Sequence, residues 1–204
     1  MARELSFYRR RAKKIIERIK GEIMKNFARR IATLLLGVMM VGTIAMAEGE
    51  DLTASARQAM KEGSYETAVE LASKAVESNP ENWRAYYIIG RAMSENDKSK
   101  EAIAAYEKSL EINKNNFWAL NNLGLLYIRS GNLESAKKVL EDATQHSGVA
   151  PCAFNNLGIV YERLGMNAEA VAAYEKGLEL DPEYEKMKVN LERVSGKAMV
   201  AESK

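Results

Sequence analysis

Between Phe117 and Ala143 the apolar residues fall into two runs of helical spacing. Trp118, Leu120, Leu123, Leu126 and Tyr127 mark the first, which ends with Ser130 and Gly131; Leu133, Ala136, Val139, Leu140 and Ala143 mark the second. The spacing predicts two amphipathic helices joined by a tight turn. The unit then recurs. Asn121-Asn122-Leu123-Gly124 returns 34 residues later as Asn155-Asn156-Leu157-Gly158, with Tyr127 as Tyr161, Gly131 as Gly165 and Ala136 as Ala170. Backwards, Ala136 is preceded in register by Ala102 and Ala68, and Gly124 by Gly90 and Ala56. Four copies follow without insertion or deletion, at 49–82, 83–116, 117–150 and 151–184. A period of this length predicts stacked helix-turn-helix units in which each copy buries the face of its neighbour.

The punctuation fits that layout. Gly63, Asp97, Gly131 and Gly165 stand where a helix must end in a left-handed residue, Asp with less ease than Gly. Ser64, Ser99, Asn132 and Asn167 follow and are suited to cap the second helices. Pro80 and Pro182 close the first and fourth copies, and Pro151 opens the fourth where its missing N–H costs nothing. The small column Ala56, Gly90, Gly124 and Gly158 is expected to face the alanines Ala68, Ala102, Ala136 and Ala170 across each helix pair. Tyr127, Tyr161, Tyr106, Leu140 and Tyr174 are expected to fill the remaining space. Residues 185–204 read as a capping helix, 185–196, and a short tail.

These residues resemble the tetratricopeptide repeat, which carries aromatic, Leu, Gly, Tyr, Ala and Pro positions at fixed offsets. The third and fourth copies match with Leu120 or Phe154, Leu123 and Leu157, Gly124 and Gly158, Tyr127 and Tyr161, and Ala136 and Ala170. The second matches with Tyr86, Ile89, Gly90, Ala102 and Tyr106; the first is degenerate but keeps Gly63, Tyr65, Ala68 and Pro80. The resemblance covers about two thirds of the chain. It implies an all-α fold: a right-handed superhelical solenoid of four helix-turn-helix repeats plus a C-terminal capping helix, with a concave groove lined by the first helices.

By the same resemblance, particular places in each first helix face the groove. They are Arg84, Tyr87 and Arg91 in the second copy; Trp118, Asn121, Leu125 and Arg129 in the third; and Asn155, Ile159 and Arg163 in the fourth, with Asn122 and Asn156 beside them. Aromatic residues offer anchors, Arg a fork for carboxylates, and Asn amides partners for a peptide backbone. Asn122 and Asn156 are equally suited to bonding neighbouring helices. Arg129 and Arg163 are expected either to face a partner or to pair with glutamates on the next helix. The family's basic carboxylate clamp has lysines where this chain has Thr53 and Trp118, or Tyr87 and Cys152; only Asn122 of that pattern is kept. A chaperone-tail adaptor is therefore not expected.

Charge changes the picture at the N-terminus. The chain carries +2, but residues 1–47 hold 11 basic and 3 acidic residues (+8), leaving 19 basic and 25 acidic (−6) in the rest. Ile31 to Ala47 contains no charged residue, follows Lys25, Arg29 and Arg30, and closes on Ala45-Met46-Ala47 before an acidic stretch. This reads as a secretory signal peptide cleaved after Ala47, the alternative being an uncleaved anchor. The basic residues 1–23 ahead of it are either an amphipathic surface helix or translated leader, with Met24 the true start. No cysteine directly follows the apolar run, so a lipid anchor there is not expected. A basic leader on an acidic body indicates export to the periplasm or outside, and not nucleic-acid binding.

Catalytic chemistry finds no footing. His146 is the only histidine and has no partner motif, Cys152 is the only cysteine, and phosphate loops, GxGxxG and HExxH are absent. The expectation is a non-enzymatic scaffold without metal or cofactor. Its partner is another protein, with an acidic or C-terminal segment favoured, and membrane contact only through the N-terminal segment. The alternatives are a self-associating structural array, or a membrane-anchored assembly factor if the apolar segment stays.

Overall fold

A computed structural model of the chain describes Glu17, Lys20 to Glu22, Met24, Lys25, Phe27 and residues 31–36, 49–145 and 150–202, with side chains through 196. Two compact units divide it, Met1–Glu48 and Gly49–Lys204. In the first, residues 31–36 are helical and Leu34, Leu35 and Leu36 are exposed. Ala45-Met46-Ala47 and His146 lie outside the described residues. Among those described, no helix is long and apolar enough to cross a membrane.

The second unit is a run of helices: α1 (49–61), α2 (Tyr65–Ser78), α3 (Trp83–Glu95), α4 (Ser99–Ile112), α5 (Phe117–Ser130), α6 (Leu133–Thr144), α7 (Pro151–Arg163), α8 (Asn167–Leu180) and α9 (Glu185–Glu202). Each packs on the next in sequence, and α5 and α7 also touch α7 and α9 respectively. This is an all-α, right-handed solenoid of four helix pairs closed by α9. No strand occurs among the described residues.

Each pair turns on one backbone device. Gly63, Asp97, Gly131 and Gly165 have φ of 74°, 57°, 77° and 78°. The following N–H reaches back five residues in every case: Ser64 to Ala59, Lys98 to Met93, Asn132 to Tyr127 and Met166 to Tyr161. That 6→1 bond closes the helix end and aims the chain back along it.

Capping departs from the sequence expectation. Of the four expected residues only Asn132 caps, accepting from the Ser135 N–H at 3.3 Å. Ser64 makes no such bond, and α4 and α8 begin on Ser99 and Asn167 themselves, leaving Lys98 and Met166 at the caps. Side-chain caps serve two of the first helices, α3 and α5. Asn82 and Asn116 accept from the Ala85 and Ala119 N–H groups at 3.2 and 3.3 Å. Both are buried, and their amides donate to Thr53 and Ser109 on neighbouring helices. A cap that is also an inter-helix tie satisfies two requirements with one side chain.

The three glycines of the small column lie against the large residues expected to fill the space between the helices. A methyl group added at Gly90, Gly124 or Gly158 would lie 2.7, 2.5 or 2.4 Å from Tyr106, Leu140 or Tyr174. The glycine leaves room for the large residue of the second helix, and the alanines Ala68, Ala102, Ala136 and Ala170 are buried at 0% exposure. Large against none is what brings each pair of axes together.

The array ends by the same logic. α9 keeps the repeat register, burying Met187 and Val194 against Ala170 and Tyr174. Gly177 opens the space Met187 fills, since a methyl there would lie 2.4 Å from its sulfur. At the glycine place α9 carries Glu192, which is exposed. A further second helix packed there would press its large residue onto that carboxylate.

Candidate functional site

Residues from α1, α3 and α5 line a depression of about 190 Å³, residues from α3 and α5 with Tyr106 line another of about 320 Å³, and residues from α7 and α9 with Tyr184 a third of about 580 Å³. The first helices therefore present one grooved face. The expected groove residues divide on it into two groups by burial.

The exposed group is Arg84, Arg91, Trp118, Leu125, Arg129 and Arg163, with Tyr87 and Ile159 half-buried. Trp118 is 55% and Leu125 38% exposed, two large apolar residues of α5 left in water on this face. Seven residues apart on α5, they stand about 10 Å apart along its axis. Arg84 stacks on Trp83 at 4.6 Å and lies 3.7 Å from Glu50.

Arg129 and Arg163 do not pair with glutamates of the next helix. Arg129 reaches back to Asp97 at 3.3 Å, and Arg163 donates to the Ile128 carbonyl at 2.9 Å. Each spans to the preceding repeat, where the turn exposes an acceptor. Pairs this exposed contribute about 0–1 kcal/mol, and a guanidinium has five donors, so both retain capacity for a ligand. Glu162, beside Arg163 in sequence, pairs with Arg193 of α9.

The amides form the second group and are bonded within the protein, although Asn155 and Asn156 also line the third depression. Asn121, Asn155 and Asn156 are buried. The Asn156 amide donates to Asn121 Oδ1 at 2.9 Å, and Asn190 donates to Asn155 Oδ1 at 3.0 Å. The half-buried Asn122 donates to the Tyr106 hydroxyl at 3.3 Å. The fifth place of one first helix thus joins the sixth place of the next. Burial is the reason: an amide this deep must be satisfied within the protein. Tyr87 holds the fifth place in α3, where burial pushes its phenol pKa up and Arg91 and Asn122 pull it partly back.

Tyrosines tie the outer edge. Tyr127 donates to Glu107 at 2.7 Å and Tyr161 to Glu141 at 2.8 Å, the same bond one repeat apart. Burial first, then these carboxylates, push both phenols up to about 12. Cys152 is half-buried and burial raises its thiol pKa, which disfavours the reactive thiolate. Among the described residues no group of three His, Cys, Asp or Glu is placed to hold a metal ion.

Some residues of this face escaped the sequence reading. Arg57 and Met60 of α1 and Trp83 and Ile88 of α3 line the first depression, and Tyr184, Val189 and Asn190 the third. A signal existed for several of them: Arg57 holds the ninth place of its copy, as Arg91 does, and Val189 and Asn190 hold the fifth and sixth places of α9.

The fold and face described define a class, and the chain belongs to the tetratricopeptide repeat proteins. The tetratricopeptide repeat pattern matches residues 53–116, 105–138 and 151–184. Among curated proteins, the small glutamine-rich tetratricopeptide repeat-containing protein 2 of Mycosarcoma maydis is 36% identical over 104 residues, 50% of this chain and 28% of that protein. The peroxisomal targeting signal receptor of Pichia angusta is 39% identical over 67 residues, 33% of this chain and 12% of the receptor. The chain thus spans less than a third of these relatives.

Solved structures share the fold at lower identity. Pseudomonas aeruginosa pilF superposes with a TM-score of 0.68 at 23% identity, covering 76% of this chain and 71% of that one. MamA from Desulfovibrio magneticus RS-1 gives 0.67 at 20%, covering 74% and 85%. YrrB, described as a TPR protein with an unusual peptide-binding site, gives 0.66 at 22%, covering 78% and 84%.

Proposed function

We propose that this protein is a non-enzymatic adaptor of the cell envelope that holds a segment of another protein in the groove of its first helices. The observation that carries the reading is the exposed pair Trp118 and Leu125 on α5, set among Arg84, Arg91, Arg129 and Arg163. Solvated large apolar residues in a concave, cationic setting are costly without a partner to cover them. Residues 48–204 carry −6 with these four arginines counted, and so −10 without them, so an acidic segment is drawn to the groove and repelled from the exterior. Placement outside the cytoplasm rests on the apolar run Ile31 to Ala47 and its basic flank. Self-stacking through the C-terminal edge is disfavoured by Glu192, whose carboxylate occupies the place a packing partner needs.

The test is Arg129→Glu with Arg163→Glu, measuring the melting temperature and the proteins crosslinked and co-purified from an envelope fraction. The reading expects partners to be lost with the melt unchanged. Retained partners, or a collapsed fold, would show that these arginines serve the solenoid.

A further inference from the structure

Within the groove, the depression between α1, α3 and α5 differs from the other two in size and in the state of its charges. Its volume, about 190 Å³, is below the roughly 300–1,000 Å³ of small-molecule pockets and matches the scale of one large side chain. Met60 and Ile88, 7% and 3% exposed, form its apolar base, with Tyr87 and Trp118 at its sides. Arg57 and Arg91 also line it, with Trp83, Arg84 and Asn116, and neither Arg57 nor Arg91 has a carboxylate partner among the described residues; Arg91 lies against the Tyr87 phenol. Arg84 beside them is already stacked on Trp83 and close to Glu50.

We infer that this depression is the anchor pocket for a polypeptide segment bearing one large apolar side chain flanked by carboxylates. The proposal rests on the groove reading above and adds a residue preference to it. The apolar side chain enters between Tyr87 and Trp118 onto Met60 and Ile88. Its neighbouring carboxylates meet Arg57 and Arg91, whose planar forks suit bidentate pairing. Place nine along the groove reads Arg57, Arg91, Leu125, Ile159 and Arg193, so two adjacent cations occur only at the pocket, and the segment's acidic stretch lies toward α1. An aromatic base on Trp118 with phosphates on the arginines is the competing chemistry. The acidic body disfavours it, because a nucleic-acid strand leaving the pocket meets net negative charge.

Trp83 and Trp118 are the only tryptophans and both line the pocket, so intrinsic fluorescence reports its occupancy. The full chain is titrated to 2 mM with an end-capped octapeptide holding one phenylalanine between four glutamates. Three further ligands are run alongside: the phenylalanine-to-alanine peptide, the glutamate-to-glutamine peptide, and an eight-nucleotide oligothymidine. The expected result is saturable binding of the first, at least tenfold weaker for each altered peptide and for the oligonucleotide. Arg57→Gln with Arg91→Gln should erase the preference for glutamate over glutamine while leaving the melt unchanged. No saturation by 2 mM, equal binding of the altered peptides, tighter binding of the oligonucleotide, or an unchanged preference in the double variant overturns the inference. Envelope capture separates the two levels. If Arg129→Glu with Arg163→Glu loses partners and Arg57→Gln with Arg91→Gln keeps them, the groove stands and the pocket falls; if both variants keep them, the groove reading itself falls.

Discussion

Replacing Gly124 by alanine is the sharpest test of how the helix pairs are held. In the middle of an exposed helix that change raises stability by about 1 kcal/mol, because alanine is the better helix former. Here the added methyl would lie 2.5 Å from Leu140 Cγ, 2.6 Å from Cδ2 and 3.1 Å from Cδ1. Leu140 is fully buried, and the nearest atom is a branch point rather than a free end, so it cannot swing aside. Overpacking of this kind costs about 1–3 kcal/mol. The net expectation is a loss of about 0–2 kcal/mol, opposite in sign to the exposed case. Leu140→Ala alone should cost about 2–5 kcal/mol by leaving a cavity. In the double variant the clash disappears and the new methyl occupies part of that cavity. Gly124→Ala should then become favourable, a coupling of about 1–3 kcal/mol. Urea unfolding followed by circular dichroism measures the cycle, with transition slopes compared because repeat arrays can lose two-state behaviour. A single variant at least as stable as the parent, or strictly additive effects, refutes the close-approach explanation.

Three other outcomes follow from the hydrogen bonding. Asn156→Ala leaves Asn121 Oδ1 buried without its donor and should cost about 1–3 kcal/mol, with the Asn121→Ala, Asn156→Ala double variant costing less than the sum, read from the same urea curves. Tyr174 buries its hydroxyl beside Arg193 and Glu162 without a hydrogen bond of good geometry. Tyr174→Phe should therefore hold or raise the melting temperature, whereas Tyr106→Phe, which loses the Asn122 bond, should lower it. Tyr127 and Tyr161 titrate near 12 in the fold against an ordinary value of 10.0, so between those values the folded state holds more protons than the unfolded one. Their contribution is complete below pH 10.0 and is lost as pH rises toward 12, so melting temperature should fall across that window and fall less in the Tyr127→Phe, Tyr161→Phe variant.

The repeat register carried most of the fold, because a 34-residue period repeats the same burial pattern at each helix pair and leaves few ways to stack it. Turn residues were equally legible, since a positive φ narrows the choice of residue at Asp97 and Gly131. What spacing alone did not reveal was partner identity across the pair. That Gly124 lies nearest Leu140, and that Asn82 and Asn116 cap α3 and α5 while Ser64 does not cap α2, depends on rotation about each helix axis. The site was half legible. Residue type placed Trp118 and the arginines, but not the depth that turns Asn121, Asn155 and Asn156 inward. Arg57 was hidden by the degeneracy of the first copy, although its register place was readable.

The groove itself is tested most directly by site-specific photocrosslinking in the intact envelope. A photoreactive residue replaces Leu125 on α5 in one strain, and Glu175, exposed on the second helix of the fourth pair, in another. A discrete adduct at Leu125 that is absent at Glu175, and that disappears in the Arg129→Glu, Arg163→Glu background, is the predicted result. Equal adducts at both positions, or an adduct at Glu175 alone, contradicts a partner held in the groove.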